Sequence, residues 1–280
     1  MKMQEHISLS RTSADFSSRR PLALVTGASA GIGHAYAERL ASEGYDLVVV
    51  ARRAERLDEI KRQLEAGHGV SVQPLVADLS TESGRRALDT VATQSRLEFV
   101  VDCAALAYYG PFLQLPRGEA EELVNLNILA PVQMIHASLP GMVERGKGTV
   151  VSFASLLAYS AASENPQLPK RAVYAASKAF LLTFFQLLAV ELRGTGVKVQ
   201  IVCPGIVKTE FHTRQGMDMS ARPRLEPEEV VSASMIGLER GEVVCIPTLE
   251  DTDRLQHHDQ AGADVLAANM RPALAERYLS

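Results

Sequence analysis

Cysteine is scarce in this chain: three in 280 residues, at 103, 203 and 245, odd in number and each set in an apolar run. That count excludes a disulfide-stapled scaffold and fits reduced, buried thiols in a cytoplasmic protein. Long apolar runs are missing too. No stretch approaches the ~18 uninterrupted apolar residues of a bilayer span, which argues against an integral membrane protein. Nor does one charge dominate: 29 Lys and Arg stand against 33 Asp and Glu, a net charge of -4. No basic surface for nucleic acid or anionic lipid is therefore expected. Residues 1–20 have no apolar centre and carry Glu5 and Asp15, unlike a secretory signal or transit peptide, and read as a polar, loosely ordered lead. What remains is a protein whose partner is a small molecule.

A chain of this length buries roughly 70 to 75% of its unfolded surface, enough for a full core. Short β-branched runs at 21–25, 47–51, 70–76, 99–104, 149–153, 197–203 and 243–246 alternate with segments of helical length at 34–44, 55–66, 119–145, 174–193 and 228–240. Seven strands separated by helices predict an α/β fold, a parallel sheet covered on both faces. Pro227 before two glutamates suits a helix start, and Gly194 and Gly241 suit helix stops. The absence of a repeat or linker predicts one domain over 21–280.

The segment 174–193 is apolar nearly all round, including Phe180, Phe184, Leu187 and Val190. A helix on one face of a sheet needs a single apolar stripe. The surplus predicts a homodimer or homotetramer in which this helix meets its symmetry mate, the alternative being cover by the C-terminal tail.

Three constellations carry chemistry. After the first strand comes Thr26-Gly27-Ala28-Ser29-Ala30-Gly31-Ile32-Gly33, then a helix. Glycines there permit a tight turn and close backbone approach to a pyrophosphate, which the helix N-terminus attracts. At the end of the second strand, where an acidic residue selects NAD, stand Arg52 and Arg53. Guanidinium groups suit a ribose 2′-phosphate, so NADP(H) is expected over NAD(H); ordinary surface charge is the alternative. Finally, Tyr174 and Lys178 lie one helical turn apart, with Ser155 after the fifth strand. A phenol with a pKa near 10 needs a shift of about 3 units to exchange protons at neutral pH. An ammonium ~4.5 Å away at an effective dielectric of ~20 supplies about 3.7 kcal/mol, nearly the whole requirement. Alone, such a pair is ordinarily just two surface neighbours.

Together, TGxxxGxG at 26–33, Ser155, YxxxK at 174–178 and Pro204-Gly205 resemble the short-chain dehydrogenase/reductase family over about residues 21–247. The resemblance implies a Rossmann-type domain. It implies that Tyr174 is the general acid/base, that Lys178 lowers its pKa and holds the nicotinamide ribose, and that Ser155 orients the carbonyl. Asn127 matches the asparagine of a water-linked proton relay, with Asn125 the runner-up in register. For the cofactor it implies contacts from Gly27, Ser29, Ala30, Gly31, Ile32, Gly33, Arg52, Arg53, Asp78, Leu79 and Ala104, and from Pro204, Gly205, Val207 and Thr209.

Two departures stand out. The family's Asn-Asn-Ala-Gly is Asp102-Cys103-Ala104-Ala105 here, which predicts strain at Ala105 if the family glycine has a positive φ, and an unpaired carboxylate at Asp102. Ser155 and Tyr174 are also farther apart than in the family, which predicts a loop at 160–171 bulging over the substrate pocket. Tyr108, Tyr109, Phe112, Phe211, Met217 and Met219 are candidate pocket walls for an apolar substrate, and 208–226 is the expected lid, with His212 on its surface or, as the alternative, touching substrate. No carboxylate or cysteine pattern joins the adjacent His257 and His258 at metal spacing, so no metal site is expected. The expected activity is NADPH-dependent reduction of a ketone or aldehyde, or the reverse. The alternative is a nicotinamide-binding regulatory or scaffold protein with little turnover.

Overall fold

The computed structural model describes residues 20–166, 168–268 and 273–278; the expected polar lead at 1–19 lies outside them. One compact unit closes at Pro247 and a second runs from Thr248. The first carries seven parallel strands: β1 (Leu22–Thr26), β2 (Asp46–Ala51), β3 (Val72–Val76), β4 (Leu97–Asp102), β5 (Gly148–Phe153), β6 (Val197–Val202) and β7 (Val244–Cys245). Their order is β3-β2-β1-β4-β5-β6-β7. Both faces are covered, so central strands such as β1 are buried along their whole length and read as unbroken apolar runs.

One face packs under α1 (Gly31–Ser42), α2 (Ala54–His68) and α8 (Pro227–Arg240), around Tyr36, Leu40, Leu57 and Val230. The other packs under α3 (Glu82–Gln94), α5 (Ala130–Glu144) and α6 (Ala172–Glu191), around Leu88, Met134, Leu181 and Phe185. Helix α3 was not expected: its composition is largely polar, and its start is set by Thr81, whose hydroxyl accepts the Gly84 N–H at 3.1 Å. The expected single helix over 119–145 is α4 (Arg117–Val124) continued through a π-helical turn, Asn125–Leu129, into α5. Arg117–Glu144 and Ala172–Glu191 are long and apolar enough to cross a bilayer by length and composition alone; α5 and α6 within them pack on the sheet.

A capping box of Glu226 and Glu229 starts α8, and Gly241 ends it at φ +76°. The second unit contains α9 (Asp253–Ala268) and a 3-10 turn, Glu276–Tyr278.

Strand order reverses direction at β1, which lies between β2 and β4. In such sheets the crevice beyond the carboxyl ends at this point is the ligand site. A cavity of about 850 Å³ opens there, lined by residues following β1, β2, β3, β4, β5 and β6.

Candidate active site

Gly27 leaves β1 at φ +66°, and a Cβ on it would lie 2.9 Å from the Cys103 and Ala104 backbone. A Cβ on Gly33 would lie 2.5 Å from the Gly27 carbonyl oxygen, so only glycine lets α1 sit directly on the turn. Thr26 locks this arrangement from below: its Oγ1 accepts the N–H groups of Cys103 (3.0 Å) and Ala104 (3.1 Å). The cap residue of α1 is Ala30, which offers no side-chain acceptor, and no acidic residue stands in the first turn. The positive end of the helix thus faces the cavity without a competing protein anion of its own. These features fit a pyrophosphate, and all the expected cofactor residues line the cavity except Gly33, which packs behind the turn.

At the far end of the cavity, Asp78 and Leu79 follow β3. Burial pushes the Asp78 carboxyl up, but the Ser80 N–H (3.0 Å), the Ser80 hydroxyl (2.7 Å) and Arg52 hold it below its ordinary value. The buried Arg85 fastens this loop by donating to the carbonyls of Leu79 (3.2 Å) and Ser80 (2.8 Å). Arg52 is exposed, 3.7 Å from Asp78 and 3.8 Å from Glu122. Arg53 is more enclosed, donating to Ser29 Oγ at 2.9 Å and pairing with Glu210 at 3.2 Å.

Ser155, Tyr174 and Lys178 come together at the carboxyl end of β5, all buried and all lining the cavity. Ser155 caps the short turn Leu156–Tyr159, its Oγ accepting the Leu157 N–H at 3.1 Å. The neighbouring Ser155 side chain favours the ionised form of the Tyr174 phenol, while Tyr109 opposes it. Lys178 Nζ donates to the Phe153 carbonyl at 2.7 Å and lies 5.9 Å from the Tyr174 ring centre. The expectation that Lys178 brings the phenol down toward neutrality is not met here. Burial pushes Tyr174 well above its ordinary value, because an apolar enclosure penalises the phenolate more than its partners favour it. Burial likewise lowers Lys178, with Asp102 foremost among the groups that oppose this.

Asp102 corrects a second expectation. Its carboxylate is not unpaired: it accepts from Thr26 Oγ1 (3.3 Å) and Ser152 Oγ (2.7 Å). Burial still raises its pKa, against those bonds and the charge of Lys178. Nor is Ala105 strained, since no non-glycine residue among those described has a positive φ; the chain passes this point in an ordinary conformation.

Asn127 is buried in the π-helical turn and does not line the cavity. It accepts the Leu106 N–H (3.0 Å) and donates to the Leu106 carbonyl (2.9 Å) and Ser177 Oγ (3.1 Å). It therefore ties the strand-β4 loop to α6 beside Lys178. Asn125 begins the same turn and is half-buried. The turn itself has no signal in the composition of 125–129, yet it points Asn127 inward.

The substrate end is aromatic. Tyr109, Phe211, Met217 and Met219 line it as expected; Tyr108 and Phe112 do not, Phe112 being exposed and Tyr108 donating to the Gln114 carbonyl at 3.2 Å. Of the two places open to His212, the structure shows the cavity wall, with its ring parallel to that of Tyr109. Burial, then Arg224, lowers its pKa. The loop at 160–171 borders the cavity through Asn165, Leu168 and Pro169, and Arg171 secures it on Ser160 Oγ (3.1 Å) and the Pro169 carbonyl (2.8 Å).

Sequence reasoning missed Glu210, the first residue of α7 (Glu210–Thr213), which meets Arg53 at the N-cap of α2 and Arg56 in its first turn. No spacing pattern connects residues so distant along the chain.

The short chain dehydrogenase family profile matches residues 21–220. A short-chain dehydrogenase from Sphingobium yanoikuyae solved in complex with NADPH superposes with a TM-score of 0.87 at 35% identity, covering 92% of this chain and 99% of that one. The bulky-bulky ketone specific alcohol dehydrogenase from Comamonas testosteroni superposes with a TM-score of 0.84 at 31% identity, covering 94% and 100%. The very-long-chain 3-oxoacyl-CoA reductase-B of Danio rerio is 32% identical over 226 residues, 78% of this chain and 69% of that one. With the glycine turn, the buried Ser155, Tyr174 and Lys178, and the parallel sheet that gathers them, these likenesses establish that the chain belongs to the short-chain dehydrogenase/reductase family of oxidoreductases.

Proposed function

We propose that this protein is an NADPH-dependent reductase of ketones or aldehydes carried on apolar small molecules, and that it also runs the reverse alcohol oxidation. The observation that carries the reading is the gathering of Ser155, Tyr174 and Lys178, all buried, on the wall of a cavity that continues to the glycine turn. A nicotinamide held between the glycine turn and Lys178 would supply a hydride to the carbonyl carbon. Tyr174 gives its phenolic proton to the carbonyl oxygen as the C=O electron pair moves onto that oxygen, leaving a phenolate. Ser155 hydrogen-bonds the same oxygen and so stabilises the charge that develops there. Lys178, anchored on the Phe153 carbonyl, offers its ammonium charge to the phenolate. A phenol raised by burial is fully protonated at neutral pH, which suits the donor role of the reductive direction.

Arg52 and Arg53 at the end of β2, with no acidic residue in their place, support NADP(H) over NAD(H). Tyr109, Phe211, His212 and Met217 support a substrate with a bulky apolar or aromatic body. On α6, Phe180, Leu187 and Val190 are exposed while Leu181, Leu182 and Phe185 are buried. This second apolar face supports a homodimer or homotetramer built on that helix.

The test is NADPH oxidation with a panel of ketones and aldehydes. Steady turnover by wild type that disappears in Tyr174→Phe is the expected result. Cofactor binding without turnover of any member would instead favour a regulatory or scaffold role for the same fold.

A further inference from the structure

Glu210 gathers three guanidinium groups on one carboxylate: Arg56 at 2.6 Å, Arg53 at 3.2 Å, and Arg214 at the C-cap of its own short helix. Two of the three come from the start of α2, immediately after β2. That is where the reading above puts the ribose of the cofactor. Arg53 reaches further, donating to Ser29 Oγ at 2.9 Å and to the Ser29 carbonyl at 3.4 Å, so it spans the glycine turn, α2 and the lid. Arg53, Ser29, Glu210 and Arg214 all line the cavity.

Fastening the lid does not require this arrangement. Thr209 already caps α7, its Oγ1 accepting the Phe211 N–H at 3.2 Å. The three arginines also repel one another: burial lowers the pKa of Arg53, and Arg214 and Arg56 lower it further. Such a cluster is held together by an anion. Here the anion is Glu210, whose carboxyl Arg56 above all, with Arg214 and Arg53, holds down at about 2 against the opposing effect of burial. It is ionised at neutral pH.

We infer that Glu210 is a specificity-determining residue for the cofactor: its carboxylate takes, on Arg53 and Arg56, the place that a ribose 2′-phosphate takes when bound. The phosphate then enters by exchange with an internal anion. A dianionic phosphate offers more acceptor oxygens and more charge than a carboxylate, so it wins the exchange, but by a smaller margin than against free arginines. The exchange frees Glu210 from α2 and leaves it with Arg214 alone, so the phosphate is felt at the start of the lid. The inference rests on the NADPH reading.

The experiment titrates full-length wild type, Glu210→Gln and Glu210→Asp with adenosine 2′,5′-bisphosphate and with adenosine 5′-phosphate by calorimetry. Losing two half-exposed ion pairs that compete with the ligand, Glu210→Gln should bind the bisphosphate about 3- to 10-fold more tightly than wild type. Its affinity for the 5′-phosphate should not move, Glu210→Asp should stay near wild type, and adding Arg53→Ala should erase the gain. Bisphosphate binding that is unchanged or weaker in Glu210→Gln overturns the inference; with a wild type that prefers the bisphosphate, the NADPH reading then survives it. Equal losses for both nucleotides would assign Glu210 a purely structural role and overturn it as well. A wild type with no preference between the nucleotides overturns the NADPH reading and takes the inference with it.

Discussion

Tyr109 stands edge-on to Tyr174, with ring centroids 5.5 Å apart and planes at 66°, beside the phenol on which the proposed proton transfer depends. The His212 ring lies parallel to Tyr109 at 6.3 Å. Two neighbours thus act on the Tyr174 phenol in opposite directions: Ser155 favours its ionised form and Tyr109 opposes it.

Tyr109→Phe keeps the ring and removes a hydroxyl that opposes the ionised phenol. The Tyr174 pKa should fall, moving the rise of alcohol oxidation to lower pH, while kcat of reduction, which uses the neutral phenol, changes little. Steady-state kinetics across pH in both directions check this; an unmoved profile would make Tyr109 a wall residue only.

Lys178→Met keeps the length of the side chain and removes its charge. Tyr174 is already raised by burial, and without the ammonium the phenolate becomes still less accessible. Oxidation requires the phenolate, so its rate near neutral pH should drop at least ~100-fold, with part recovered toward pH 10, since each pKa unit is worth about 1.36 kcal/mol. Reduction, which uses the neutral phenol, should suffer less. Rates measured at saturating cofactor separate this from lost binding.

Away from the site, Tyr36 of α1, Ser234 of α8 and Gln200 of β6 form a fully buried polar network, and Gln200 Nε2 also donates to the Ser234 and Glu242 carbonyls at 3.2 Å each. Ser234→Ala leaves the Tyr36 hydroxyl and Gln200 Oε1 without this partner. The cost should be about 1 to 3 kcal/mol of stability. At roughly 2 to 4 °C per kcal/mol for a domain of this size, Tm should fall by about 2 to 12 °C, with kinetics near wild type. Differential scanning calorimetry with an activity assay at 25 °C checks both halves.

Leu187 is the most exposed of the large apolar side chains on α6, at 59%. Leu187→Glu places a charge in the proposed interface without touching the buried face of the helix. Light scattering should show a dimer or tetramer for wild type at micromolar concentration and a smaller species for the variant. A wild-type monomer would remove the assembly reading.

Most strands of the sheet were legible because they are buried on both faces and therefore appear as short β-branched runs, as at 149–153 within β5. Helix α3 was not, since a mostly polar surface helix leaves a weak apolar stripe and is set by its Thr81 cap. The glycine turn, Ser155, Tyr174 and Lys178 were legible because close backbone approach and a single helical turn impose residue types at fixed local spacing. The electrostatics were not. Spacing placed Lys178 near Tyr174, but it could not weigh the ammonium against burial, which depends on every group that closes the pocket.

By itself, then, the sequence determined the alternation of strands and helices, the positions that only glycine can hold, and the triad of side chains, all consequences of short-range geometry. The tertiary structure alone decided what lies far apart in the chain: Asp102 between Thr26 and Ser152, His212 against Tyr109, and Glu210 on Arg53 and Arg56. Whether a carboxylate is buried and partnered, or a ring faces a cavity, is set by packing between elements, and no local pattern of residues carries that information.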